Sequence, residues 1–206
     1  MKIMSTDYAE NYARQMLNRI LEFDLFTLLH KDKPDLQDFD HQIGIEVTQD
    51  VYEREMQCLR FWVKYEKMPY DKIPKKEIEL YYKNLGTLEI SDNHIIHGTL
   101  GETKENNPTH LIDTINSKLK KLNSGHYTIF ENNMLYVFVE TVSLFDSYII
   151  SLIKEVNATN YPLKYTRIIL DGWFELCDCD IVNQSYCRHN ITSELRQEIR
   201  RSISTE

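Results

Sequence analysis

Between Thr109 and Asp171 the apolar residues switch repeatedly between two spacings, and that switching restricts the fold more than any other feature of the chain. THLIDTINSKLKKLNSG carries Leu111, Ile112, Ile115, Leu119 and Leu122 on one helical stripe. Thr109 is placed to cap this helix, and Gly125 to stop it. MLYVFVETV follows as a strand-sized apolar run, then SLFDSYIISLIKEVNATN as a second helix. KYTRIILDGWFELCDCDIV reads as one long strand or as two around Gly172. Each of these helices and strands has an apolar face to bury, and the economical solution is helices layered on a sheet, an α/β domain.

Upstream, Tyr8, Tyr12, Ala13, Met16, Leu17, Ile20 and Leu21 form another helical stripe. Asp7 and Glu10 have capping-box spacing, and KDKP ends the helix at about His30. DLQDF and IGIEVTQ read as two short strands with a turn around Asp40 and His41. DVYEREMQCLRFWVKYEKM is helical, and prolines 69 and 74 break the pattern before another short helix. TLEISDNHIIHGTLGETKENNP is the least regular part, with a hairpin and with GETKENNP as the candidate mobile segment. A short polar helix, ITSELRQEIRRSISTE, ends the chain. The expected organisation is one domain over residues 1–206 with a less regular insertion at about 66–108.

The 206 residues are 42% hydrophobic, enough for one sizeable core. No apolar run reaches membrane-spanning length, and the N-terminus turns polar at once, so a cytoplasmic protein without a signal peptide or membrane partner is expected. The net charge of −8 argues against a general affinity for nucleic acid while allowing a local basic groove, and it suits an inhibitor of a basic protein. The cysteines are expected to be reduced. Cys177, Cys179, Cys187 and His189 supply four ligands of the kinds suited to structural Zn²⁺. Yet a single residue between the first two cysteines places both on one face of a strand rather than around a knuckle.

The chemistry concentrates in KPDLQDFDHQIGIEVTQ. In a strand Glu46 and Thr48 share a face, with Ile45 and Val47 on the other. If the two arms pair as a hairpin, Asp35 approaches Glu46. Two close carboxylates repel, and a hard cation such as Mg²⁺ or Mn²⁺ relieves that repulsion. The bland alternatives are an exposed strand acid at Glu46 and a turn residue at Asp35. Asp38 and Asp40 read as turn acids, with Asp38 a spare metal candidate.

Pro34-Asp35, ten intervening residues, then Glu46-Val47-Thr48 resembles the motif of the PD-(D/E)xK nuclease superfamily. The order of elements is similar too: a leading helix, a hairpin bearing the acids, then strand, helix and strand. The resemblance implies a restriction-endonuclease-like mixed central sheet flanked by helices. It also implies Asp35, Glu46 and the backbone carbonyl of Val47 as metal ligands, joined by an acid of the leading helix. Glu22, near the apolar stripe, is the better candidate for that acid than Glu10, which is spaced to cap the helix. Thr48 stands where the family has lysine, a group that orients water and steadies negative charge. Two explanations compete. The lysine has moved to the helix that presents Lys118, Lys120 and Lys121, of which Lys121 is nearest the following strand, or the site is inactive. The plain reading of these lysines is a solvated helix face, able at most to touch phosphate with Lys104.

The leading expectation is a metal-dependent DNA nuclease, its site formed by Asp35, Glu46, Thr48 and Lys121. Its setting by analogy is bacterial or phage defence or mobile-element DNA processing, with a homodimer a common state in such enzymes. The rival is an inactive nuclease-like fold serving as an acidic immunity or protein-binding module.

Overall fold

In the computed structural model the described residues are 6–21, 27–65, 68–84, 86–91, 94–100, 108–172 and 174–203. In chain order the elements are α1 (Thr6–Ile20), β1 (Leu29–His30), β2 (Leu36–Asp38), β3 (Ile43–Asp50), α2 (Glu53–Tyr65), a 3₁₀ turn (Tyr70–Lys72), α3 (Lys75–Lys83), β4 (Gly86–Ile90) and β5 (Ile96–Leu100). They continue as α4 (Pro108–Leu122), β6 (Asn132–Val139), α5 (Asp146–Ala158), β7 (Arg167–Asp171), β8 (Glu175–Asp180), β9 (Ser185–Asn190) and α6 (Ser193–Ile203).

The chain divides into two compact units: residues 51–105 belong to one, and residues 4–50 with 106–206 to the other. The smaller unit has a core to which α2 contributes. Cys58, Phe61 and Tyr65 bury themselves with Ile73, Ile78, Tyr81 and Ile96, and the Phe61 and Tyr81 rings stack with centroids 4.3 Å apart. The β4–β5 hairpin is antiparallel. The candidate mobile segment lies, apart from Pro108, outside the described residues.

The larger unit holds a seven-stranded mixed sheet in the order β1-β2-β3-β6-β7-β8-β9. β3, β6 and β7 are mutually parallel, and the other neighbours are antiparallel. Alternation along the central strands sends each set of side chains to its own layer. Ile43, Ile45, Val47, Met134, Tyr136, Phe138 and Ile169 pack against Tyr12, Ala13, Met16 and Leu17 of α1 and Ile199 of α6. Leu135, Val137, Ile168 and Leu170 pack on the other face against Leu111, Ile115 and Leu119 of α4 and Ile149, Leu152 and Ile153 of α5. Arg196 ties α6 to the sheet, donating to Asp171 at 2.6 Å and to the Tyr12 hydroxyl at 2.8 Å.

Two local expectations change. The leading helix ends at Ile20 instead of about His30, because Leu29 and His30 pair as β1 with Gln37 and Leu36. The Gly172 region is two antiparallel strands, β7 and β8, and the segment Ser185–Asn190 adds a third that was not anticipated. Among the described residues no helix is long and apolar enough to cross a membrane.

Candidate active site

β3 pairs with β6 along its whole length, but with β2 only over residues 43–45. Among the described residues its outer edge therefore has no strand partner beyond Ile45, and Asp35 occupies that edge: the Val47 N–H donates to Asp35 Oδ2 at 2.7 Å. The turn that delivers Asp35 is pinned on several sides. Lys31 N–H donates to the Asp35 carbonyl at 2.9 Å and Thr128 N–H to the Lys33 carbonyl at 3.0 Å. Gln37 Nε2 donates to the Pro34 carbonyl at 2.9 Å. Gly44 is required for this close assembly, since a Cβ there would lie 2.4 Å from the Phe130 ring and 2.8 Å from Pro34.

Glu46 projects from β3 toward α4 and is only 5% exposed, so it is not the solvent-facing strand acid of the bland reading. Its Oε1 accepts two hydrogen bonds, from Lys118 Nζ at 2.6 Å and from the Tyr127 hydroxyl at 3.0 Å. Its Oε2 is buried and, among the described residues, has no hydrogen-bond partner. Burial, then the Glu46 charge, push the Asp35 carboxyl up to about 6 against the pull of the Val47 N–H. Burial and the Glu46 carboxylate also drive the Tyr127 hydroxyl well above its ordinary range, which keeps it a donor. Glu10 adds to the negative field at Asp35. It does not act as the expected cap: buried on α1, its Oε2 lies 3.0 Å from His30 Nδ1 on β1.

The same helix–strand contact continues away from this cluster. His110, Thr114 and Lys118 recur every four residues on α4, while Asp50, Thr48 and Glu46 recur every two on β3. Eight helical residues advance about 12 Å and four strand residues about 13 Å, so the two polar rows stay matched from end to end. At the far end the fully buried Asp50 lies 2.5 Å from His110 Nδ1 and accepts from Thr114 at 3.3 Å and from Thr141. In the sequence this row is an i, i+4, i+8 polar set beside the apolar stripe of α4.

Several expected participants fall elsewhere. Lys121 is exposed one turn past Glu46, and the lysine that reaches the acids is Lys118. Lys120 is exposed as well. Thr48 is half-buried between Glu46 and Asp50 on the face toward α4. Glu22 and Lys104 lie outside the described residues. Asp38 is a turn acid: burial opposes its ionisation, but hydrogen bonds from Thr27 and His41 outweigh this and hold its pKa at about 2. Tyr127 had no signal in the sequence, standing alone in an irregular segment after α4.

The four candidate zinc ligands do not assemble. Cys177 and Cys179 face the α5 core with sulfurs 3.8 Å apart. Cys187 pairs with Asp178 and His189 with Leu176, and therefore both project from the opposite face of the sheet. Among the described residues no three His, Cys, Asp or Glu side chains converge as a metal-binding group. The oxygens that fit a hard divalent cation are those of Asp35 and Glu46: two repelling carboxylates, one with a buried oxygen lacking a partner. Mg²⁺ and Mn²⁺ sites commonly use only one or two carboxylates, the rest being water, carbonyl or phosphate oxygens.

No family model, no curated protein and no solved structure matches the chain.

Proposed function

We propose that the chain is a metal-dependent phosphodiesterase acting on DNA, with a restriction-endonuclease-like core. The observation that carries this reading is the Lys118 ammonium, which arrives from α4 at 2.6 Å from Glu46, beside Asp35. A lysine from a neighbouring helix takes the part that Thr48 cannot play.

In this reading Asp35 and Glu46 Oε2 hold Mg²⁺ or Mn²⁺. In an extended strand the N–H and C=O of one residue leave on the same edge. The Val47 carbonyl thus faces the Asp35 side and can join them. When bound, the cation supplies positive charge to a phosphoryl group and acidifies water. Lys118 adds a donor and a charge that orient the attacking water and steady the charge growing on phosphate oxygens. Tyr165 supports it from behind, its hydroxyl donating to the Lys118 carbonyl at 3.3 Å and so fixing that turn of α4. Thr48 contributes a neutral hydroxyl on the same face.

The test is incubation of supercoiled plasmid and of single-stranded DNA with the protein in Mn²⁺, beside Glu46→Ala and Lys118→Met. Cleavage by the wild type and by neither variant is the expected result. The net charge of −8 and the missing motif lysine favour a second reading, an inactive fold that binds a basic protein. A wild type that neither cleaves DNA nor gives heat on Mn²⁺ titration would overturn the first reading and support the second.

A further inference from the structure

Glu46 Oε1 carries two donors while the buried Oε2 carries none among the described residues. A carboxylate in a dry site normally spreads its donors over both oxygens, because an unpaired buried oxygen is costly. Here the asymmetry has a mechanical consequence. Tyr127 comes from the loop after α4, and that loop is itself tied to the Asp35 turn through the Thr128 N–H and Lys33 carbonyl. Lys118 comes from α4. The two therefore grip one oxygen from separate supports, and the grip fixes the direction of the other.

We propose that Tyr127 is a positioning residue that holds Glu46 with Oε2 turned toward the cation and, by keeping Oε1 satisfied, frees Lys118 to exchange Glu46 for a substrate phosphate. The inference rests on the nuclease reading and deepens it. Tyr127 can fill this role because its hydroxyl donates to Glu46 Oε1 at 3.0 Å from outside α4. It adds no charge of its own, and so it steadies the carboxylate without repelling a cation. Lys118 alone would serve two masters: leaving for phosphate would strip Oε1 of its partner, and staying would deny the phosphate its ammonium. With Tyr127 in place, Glu46 keeps a donor in either case. The exchange is one of hydrogen-bond partners alone, and no covalent bond changes.

A double-mutant cycle separates this from a merely structural tyrosine. Mn²⁺ affinity by calorimetry and single-turnover cleavage at saturating Mn²⁺ are measured for wild type, Tyr127→Phe, Lys118→Met and the double variant. Thermal melts followed by circular dichroism check folding. Lys118→Met is expected to bind Mn²⁺ at least as tightly as wild type and to lose cleavage, since Tyr127 still orients Glu46. Tyr127→Phe is expected to keep Mn²⁺ binding and to cleave about tenfold more slowly, since Lys118 is now tied to the acid. The double variant is expected to bind Mn²⁺ at least about tenfold more weakly than either single variant. Wild-type cleavage by Tyr127→Phe, or a double variant that binds like Lys118→Met, overturns the inference and leaves the nuclease reading standing. If the double variant fails to fold, the Tyr127→Phe cleavage rate decides alone. A wild type that neither binds Mn²⁺ nor cleaves overturns both.

Discussion

Asp35→Asn should make the protein more stable at alkaline pH while removing a metal ligand. The Asp35 carboxyl sits at about 6 in the folded chain, raised by burial and by the Glu46 charge from an ordinary 3.8. The folded state therefore binds a proton more tightly than the unfolded state. Between about pH 4 and pH 6 it holds the larger share of protons, and by linkage this group's contribution to stability falls as pH rises through that window. At 1.36 kcal/mol per pH unit the gap corresponds to about 3 kcal/mol above pH 7. Asparagine keeps an oxygen for the Val47 N–H, 2.7 Å away in the wild type, but makes a weaker bond than an ionised carboxylate. That loss costs about 1 kcal/mol. The net expectation is a gain of about 1–2 kcal/mol at pH 8 that shrinks to nothing or reverses at pH 4. Urea unfolding of both proteins at the two pH values, followed by circular dichroism, measures the difference. Taking variant minus wild type cancels other titrating acids such as Asp38, whose lowered pKa of about 2 acts in the opposite sense. A variant less stable than wild type at pH 8, or a difference that ignores pH, would refute the claim that Asp35 is held ionised at a cost. A positive result would mean that the fold accepts strain at this point, as expected of a site kept for binding rather than for stability.

Gly44→Ala should destabilise the larger unit by about 1–3 kcal/mol, because its methyl group would overlap the Phe130 ring and crowd Pro34. Phe130→Leu in the same chain should recover part of the loss in a urea titration. Asp50→Ala should cost about 2–4 kcal/mol in the same assay, since it strands the donors of His110, Thr114 and Thr141 around a hole. A thiol reagent applied to the native protein should modify Cys187 rapidly and reach Cys58, Cys177 and Cys179 only on unfolding. Fast labelling of all four would contradict the burial of the other three.

How much of the site could be read in advance differs from residue to residue. The hairpin that carries Asp35 and Glu46 followed from two short strand patterns separated by turn residues, and the β2–β3 pairing has that form. The identity of the lysine did not follow. Lys118, Lys120 and Lys121 share one helix, and proximity to the next strand favoured Lys121, whereas the contact with Glu46 belongs to Lys118. The cysteine and histidine cluster failed for a related reason. Its members are near in sequence, yet the one-to-one register of β8 on β9 assigns Cys177 and Cys179 to one face and Cys187 and His189 to the other. Similarly, α2 has the amphipathic pattern of a helix that covers a sheet, but Cys58, Phe61 and Tyr65 on it pack with Ile73, Ile78, Tyr81 and Ile96.

Whereas Leu29–His30 and Ser185–Asn190 are strands by virtue of their pairing, the sequence by itself determined the local periodicities of most elements and which of their side chains share a face. Those properties depend on dihedral preferences and spacing within a few residues. Only the tertiary structure decided which turn of α4 crosses Glu46, where the Tyr127 loop comes to rest, and which core receives α2. Each depends on how far one element slides along another before its side chains interlock, and a difference of three residues on a helix, about 4.5 Å of slide, exchanges one lysine for another.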